Sequence, residues 1–225
     1  MRVLITAATA AEWGPASLQI NSAYTSGQGA IHVSFHHTGV GMLASAVGLM
    51  QLIQAHKPSL VIQAGIAGCF NTGTALGTVV AIKSEALADT GVEEGGVWKD
   101  VFDLNLAKPD APPYTNRKLD NPFFDACNLL NLPAVNSITI NEITTRPARI
   151  AQWVEKYNPF VESMEGAALH YVCNTLHLPF IQIRAVSNYI GERDKAKWNF
   201  KDSIGNLNQT LLAYVDALQA NGIKL

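Results

Sequence analysis

Two carboxylates stand in places where a chain with few charges would not ordinarily put them. Glu12 follows the apolar run RVLITAA (residues 2–8) by a few positions, in a loop or a first helical turn. Glu165 lies in Met164-Glu165-Gly166-Ala167-Ala168, among residues too small and apolar to solvate it. An acid at the start of a helix ordinarily partners the helix dipole. That account covers Glu12, and also the pair Glu162 and Glu165 flanking Ser163-Met164. It leaves unexplained why a carboxylate should be buried among small residues, where it costs free energy unless it has a use. Glu12 and Glu165 are therefore the first candidates for acid–base chemistry.

Other patterns carry less. Gly39-x-Gly41-x-x-Ala44, after one strand and before a helix, imitates a dinucleotide fingerprint. That motif requires an acid about 20 positions on to hold a ribose. The corresponding text, SLVIQAG, has none, so a tight turn of small residues is the better reading. Gly65-x-x-Gly68 lacks the Lys-Ser/Thr of a phosphate-binding loop and reads as a place of close backbone approach. Cys69, Cys127 and Cys173 show no ligand spacing and read as small buried hydrophobes. His36 and His37 are adjacent in a strand-like run and point to opposite faces, which makes a poor metal pair. No metal site and no cofactor are expected.

The elements that must position these residues alternate. Strands are expected at residues 2–8, 31–37, 59–65, 77–83, 135–140 and 178–188. Helical text lies at 42–56, 122–131, 147–156, 162–175 and 204–220. Gly65-Ile66-Ala67-Gly68 is expected as a loop after its strand. Residues 89–121, with Pro109, Pro112 and Pro113 among mixed charges, read as a long excursion within one domain, because strand-like text resumes beyond it. Strand–helix alternation argues an α/β fold, a three-layer αβα sandwich on a central mixed, largely parallel sheet, spanning residues 1–225 as one domain. Sites in such sheets lie at the carboxyl ends of strands, and Ala8–Glu12, Gly65–Gly68 and Ser187-Asn188 all fall there.

The chain has 225 residues, 48% of them hydrophobic, and a formal net charge of −2. That length supports a full core, and the charge gives no general attraction to nucleic acid or an anionic membrane. The first strand has neither the basic lead of a signal peptide nor the length of a membrane span. An odd number of scattered cysteines fits a reducing cytosol, so a cytoplasmic enzyme is expected.

Three segments together resemble the nucleoside phosphorylase superfamily, in particular its 5′-methylthioadenosine/S-adenosylhomocysteine nucleosidase branch. They are the first strand through Glu12, the stretch Val61–Gly68, and Ser163-Met164-Glu165-Gly166-Ala167-Ala168 taken with Arg184-Ala185-Val186-Ser187-Asn188. Within that branch, residues 187–194 and the following Trp198 look like the futalosine hydrolases of an alternative menaquinone pathway. The resemblance implies that Glu12 deprotonates water and that Glu165 grips the ribose hydroxyls, with Met164 against the sugar. Ser187, Gly65 and Ile143 belong to the substrate site, and the stretch Asn141–Ile143 is the family's position for residues stacked on the purine. The chemistry is coherent. Breaking a ribose–purine bond builds an oxocarbenium-like sugar, which one carboxylate attacks through water while another steadies the hydroxyls.

Two departures from the family refine this. Phosphorylase relatives carry Arg where this chain has Gln63 and a hydroxyl residue where it has Ile66, so water is expected as the nucleophile. Adenosine-cleaving relatives carry Asp where this chain has Asn188. An amide offers an NH₂ donor to a 6-oxo group and a carbonyl acceptor to N7–H, which favours hypoxanthine over adenine. Asn188 cannot act as an acid, so Asp194 or solvent is expected to supply the leaving group's proton. Arg193 and Lys195 are candidates for the carboxylate at the far end of futalosine.

An adenosine-type nucleosidase, separated by Asn188, and a phosphorylase, separated by Gln63 and Ile66, are the enzymatic rivals. A catalytically dead nucleoside-binding protein is the rival of another class. Relatives are usually dimers, so a homodimer or higher homo-oligomer is expected. The excursion around Phe102–Tyr114 is the natural loop to close a neighbour's site.

Overall fold

The β-branched runs of the sequence become strands of one mixed eight-stranded sheet in the computed structural model, which describes residues 1–24 and 31–223. In chain order the elements are β1 (Arg2–Ala7), α1 (Gly14–Tyr24), β2 (His32–His37), α2 (Met42–His56), β3 (Leu60–Cys69) and β4 (Val79–Leu87). There follow β5 (Gly91–Glu94), β6 (Val97–Asp100), β7 (Leu119–Asp120), α3 (Phe124–Cys127) and β8 (Ala134–Thr139). The chain closes with α4 (Pro147–Tyr157), β9 (Val161–Ser163), α5 (Gly166–Thr175), β10 (Phe180–Tyr189) and α6 (Phe200–Asn221).

The expected sheet has a twist in its topology. β3 runs parallel to β1 and β10 and antiparallel to β9. β8 runs parallel to β9 and β4, and β4 runs antiparallel to β10. Following these pairings from β3 through β10, β4, β8 and β9 leads back to β3, so part of the sheet closes into a ring. Ala67, Cys69, Val80, Ile82, Val161 and Val186, contributed by four of the ring strands, form one apolar cluster. β1 and β2 extend the sheet from β3, and β7 adds to β4.

Helices cover both faces. On one, Ile5, Ile62 and Ile183 of the sheet pack with Ile20 of α1 and with Leu207, Leu211 and Tyr214 of α6. On the other, Leu4, Val61 and Phe180 meet Leu49 of α2 and Leu169 and Cys173 of α5. Burying side chains of this size contributes roughly 1.5–3 kcal/mol each, which makes the central strands a rigid base for their carboxyl ends. Helix limits have local causes. α2 stops because Lys57 turns left-handed (φ 45°), donating its N–H to Ile53 O at 2.9 Å, immediately before Pro58. α6 starts where the Asn199 side chain accepts the Asp202 N–H at 3.1 Å.

Four local expectations change. Gly65-Ile66-Ala67-Gly68 is not a loop: β3 continues to Cys69 because β10 and β9 supply hydrogen-bond partners on both sides. The helix expected at 122–131 contracts to α3, because the Asn128 side chain closes a turn on Leu132, donating to its carbonyl and accepting its N–H, both at 2.9 Å. The helix expected from residue 162 begins at Gly166, with residues 161–163 paired in the sheet as β9. The excursion carries a hairpin, β5–β6, turned by Gly95 and Gly96 at φ 59° and 79°. Two adjacent glycines between Val92 and Val97 are a legible signal for such a turn.

Candidate active site

A cavity of about 420 Å³ opens where β1, β3 and β10 end, walled also by residues of β9, the 140–144 segment and α6. It brings together Glu12, Met164, Glu165, Ser187, Asn188, Ile143 and Arg193. Gly65 lies directly behind it. Asp194 does not line it. Asp194 is exposed, and its carboxylate accepts the Ala196 N–H at 3.0 Å, capping a short 3-10 turn at residues 195–197. Lys195, in that same turn, is exposed and also absent from the wall.

Glu12 ends a single 3-10 turn after β1. One carboxylate oxygen accepts the Thr9 N–H at 2.9 Å and the Thr9 hydroxyl at 3.3 Å; the other accepts the Ile66 N–H at 3.3 Å. Burial raises its pKa above the usual carboxylate value, against the pull of the Thr9 N–H and of Arg184. A carboxylate tuned upward is a stronger base at neutral pH.

Glu165 caps α5 without bonding to the helix; its Oε1 accepts the Gly41 N–H at 3.1 Å. The dinucleotide-like glycines thus have a use: Gly41, at φ 89°, aims its N–H at this carboxylate. On the other side Arg184 Nη1 stands 3.6 Å from Glu165 Oε2, while Nη2 donates to Gln63 Oε1 at 2.8 Å. Arg184 is 1% exposed, so the pair is buried. Gly65 is required here by space: a β-carbon on it would fall 2.1 Å from Arg184 Nη1 and 3.1 Å from Glu12 Oε1. One missing side chain therefore lets Arg184 run beneath both acids.

Ser187 and Asn188 are set by a register shift in β10, where Val186 pairs with Ala67 and Asn188 with Gly68, leaving Ser187 as the extra residue. Such bulges re-aim side chains. The Ser187 hydroxyl donates to Asn188 Oδ1 at 2.8 Å, and the Asn188 NH₂ donates to Tyr189 O at 3.2 Å, near Gly68. Nδ2 would lie 3.2 Å from a β-carbon on Gly68. Ile190 Cδ1 would lie nearer still, at 2.5 Å, so Ile190 covers Gly68 with the amide donor of Asn188 beside it.

Several wall residues were not legible as such. Trp198 donates its indole N–H to Glu192 O at 3.1 Å, and the Arg193 guanidinium stacks over its ring at 5.3 Å from the centroid. Phe200 and Ile204 close the wall from α6. Glu162 accepts the Thr144 hydroxyl at 2.5 Å, and burial pushes its carboxyl up to about 7. Behind α5, Glu85 is fully buried, accepts from Gln182 at 2.9 Å and Thr139 at 3.0 Å, and is pushed up to about 6 by burial. A β-carbon on Gly166 would fall 2.0 Å from Glu85 Oε1, so the first residue of α5 must be glycine. Among the described residues, Arg193 is the one cation on the cavity wall, which also carries the acids Glu12, Glu162, Glu165 and Glu192. Among them, no group of three or more His, Cys, Asp or Glu side chains could hold a metal ion, and no helix is long and apolar enough to cross a membrane.

The architecture has counterparts. The native structure of futalosine hydrolase from Helicobacter pylori superimposes with a TM-score of 0.77 at 14% identity, over 96% of this chain and 97% of that one. In sequence, the chain is 28% identical to the futalosine hydrolase of Thermus thermophilus over 172 residues, 76% of this chain and 75% of that protein. It is 22% identical to the 5′-methylthioadenosine/S-adenosylhomocysteine nucleosidase of Buchnera aphidicola over 196 residues, 84% and 80% of the two chains. The model of the phosphorylase superfamily matches residues 9–220, which include Glu12, Glu165 and Asn188. With nearly its whole length matched, the chain belongs to the phosphorylase superfamily.

Proposed function

We propose that the chain hydrolyses the N-glycosidic bond of a 6-oxopurine nucleoside, futalosine, releasing hypoxanthine in the cytoplasm. The observation that carries this reading is the convergence of Glu12 and Glu165 on one cavity whose far wall presents an amide donor, Asn188. Glu12, raised by burial, takes a proton from water, which attacks C1′ as the bond to the purine breaks. Glu165, held in place by Arg184 and the Gly41 N–H, accepts from the ribose hydroxyls, and those bonds tighten as positive charge grows on the sugar. Met164 supports the sugar, and Ile143 lies against the base.

Water rather than phosphate is the nucleophile. Gln63 is occupied by Arg184, Ile66 is apolar, and the surrounding carboxylates repel an anion. At the base, the NH₂ of Asn188 meets O6, and its carbonyl keeps a lone pair for N7–H. That preference separates futalosine from methylthioadenosine and aminofutalosine. Arg193, already stacked on Trp198, is the group to hold the benzoate of futalosine. A homodimer or higher homo-oligomer completes the picture, with exposed Leu106 on the excursion as its apolar contact.

The test is chromatography of the base released from inosine, methylthioadenosine and futalosine, with and without phosphate. Hypoxanthine from futalosine at a rate independent of phosphate is expected. Preferential release of adenine would assign the chain to the adenosine-type nucleosidases, and a phosphate requirement to the phosphorylases. No release from any of them would leave a nucleoside-binding protein.

A further inference from the structure

A departing purine needs a proton, and the residues expected to manage it cannot do so. Asn188 has no acidic proton, and Asp194 is exposed and engaged with Ala196 away from the cavity. Of the acids on the wall, Glu12 accepts from Thr9 and Ile66 at the water side, and Glu165 faces Arg184. Glu192 pairs with Lys197 at 2.7 Å. Glu162 has no cation beside it among the described residues; its partner is Thr144.

Its position is what matters. Gly68 of β3 pairs with Asn188 of β10 on one side and with Glu162 of β9 on the other. Side chains at paired positions share a face, and neighbouring strands lie 4.7–4.9 Å apart. Glu162 and Asn188 thus flank Gly68 roughly 10 Å apart at the backbone, and the side chain over the glycine is that of Ile190, whose Cδ1 would stand 2.5 Å from a β-carbon there. All three line the cavity, and Ile66, Ile140 and Ile190 make the surroundings apolar. A flat heteroaromatic base laid on Ile190 between the two strands has one polar edge toward Asn188 and another toward Glu162.

We infer that Glu162 is the general acid of this site, the carboxyl group that hands a proton to a ring nitrogen of the leaving purine. The inference rests on the nucleosidase reading of the same cavity. Burial pushes Glu162 up to about 7, and the charged group whose field reaches it, Asp89, carries the same sign and raises it further. About half of the Glu162 carboxyls therefore hold a proton at neutral pH, and more below it, which suits an acid catalyst. The step balances. The electron pair of the C1′–N bond passes to the purine, which takes the Glu162 proton; water's hydroxide joins C1′, and Glu12 takes water's remaining proton. Exchange with solvent then returns a proton from Glu12 to Glu162.

The test compares futalosine with its N7-methyl derivative, whose cationic base leaves without being protonated. Glu162→Gln keeps an acceptor for Thr144 and removes the acid. We expect kcat on futalosine to fall about 100-fold or more, and on the methylated nucleoside by less than about tenfold. In the wild type, kcat on futalosine should decline as pH rises through about 7, and that limb should be missing for the methylated substrate. Equal losses on both substrates, or a limb common to both, would overturn the role of Glu162 while leaving hydrolysis standing. A wild type that cleaves neither substrate would overturn the futalosine reading, and this inference with it.

Discussion

Two clusters of carboxylates in this molecule have received opposite treatment. On the outer excursion, Asp100 and Asp103 are surrounded by cations. Arg117 reaches Asp103 at 2.6 Å and Asp100 at 3.6 Å, and Lys156 of α4 reaches Asp100 at 3.2 Å and bonds Asp103 as well. Asp100 also accepts the N–H groups of Phe102 and Asp103, each at 2.9 Å. Partial burial opposes ionisation of Asp103, but the bonds from Lys156 and Arg117 prevail and hold its carboxyl far below the usual range. At the strand ends, Glu12, Glu85 and Glu165 share one guanidinium, Arg184, and Glu162 has no cation beside it among the described residues. Burial dominates there, and Glu12, Glu85 and Glu162 are raised. Acids supplied with cations fasten a loop; acids denied them keep basicity or a proton for use.

The largest effect that could break this contrast is on turnover. Glu12→Gln should lower kcat on futalosine by about 10²–10⁴-fold, because a water-activating base is lost. Binding should stay within about tenfold, ~1.4 kcal/mol, because Glu12 is not asked to hold the substrate. Asp103→Asn should leave kcat unchanged. Steady-state kinetics with calorimetric binding decide it. Near-normal kcat in the Glu12 variant, or a large loss in the Asp103 variant, would mean that cation supply does not separate working acids from structural ones.

Asn188→Asp adds a further carboxylate to the inner cluster and asks what it does to substrate choice. An ionised Asp sets an acceptor against the O6 acceptor of a 6-oxopurine, and an unpaired buried polar group costs roughly 1–3 kcal/mol. Activity on futalosine should fall about ten- to hundredfold. Aminofutalosine or methylthioadenosine should lose less or gain, since an exocyclic NH₂ can donate to the new carboxylate. The ratio of kcat/KM for matched hypoxanthine and adenine nucleosides, in both proteins, is the measurement. A wild type that already prefers adenine, or a ratio the substitution leaves unmoved, removes Asn188 as the selector.

How far the sequence carried this picture depended on whether the information was local. Glu12 and Glu165 were legible because each stands next to residues that would not solvate it. The strands were legible from β-branched runs, and α2 from its small and apolar face ending before Pro58. The ring closure was not, because the antiparallel pairing of β4 with β10 joins segments about a hundred residues apart and leaves no local mark. Gly65-x-x-Gly68 looked like a loop because glycine ends strands as readily as it permits close packing. The Arg184 side chain that fills the space over Gly65 comes from β10. Glu162 looked like a helix-dipole partner until its pairing with Gly68 put it across from Asn188. Asp194 was attractive through proximity in sequence, and the chain turns outward before reaching it.

The smallest effect is on stability, and it should differ in sign between the two clusters. Glu85 is raised from 4.5 to about 6 by burial. Its contribution is fully present below about 4.5, where the carboxyl is neutral in folded and unfolded chains alike. It is lost as pH rises through about 6, because the unfolded chain ionises first. One and a half pKa units correspond to about 2 kcal/mol, so between pH 4.5 and 7 this group alone should destabilise the fold by about that amount. Asp103, depressed by its cations, contributes stability that is present above about 3.9 and is lost as pH falls below it. Glu85→Gln should therefore flatten the decline between pH 5 and 7 without altering the acid limb. The amide of Gln182, whose Oε1 is unpartnered, can turn to accept from the new side chain. Asp103→Asn should remove up to about 1 kcal/mol at neutral pH, as a partly exposed ion pair does, and soften the acid limb only. Urea denaturation of the three proteins from pH 3 to 8 reads both slopes. Glu12 and Glu162 contribute a decline to both proteins, so the difference decides: if the Glu85 variant falls as steeply above pH 5 as the wild type, Glu85 is ionised in the fold, and burial does not hold a proton on it.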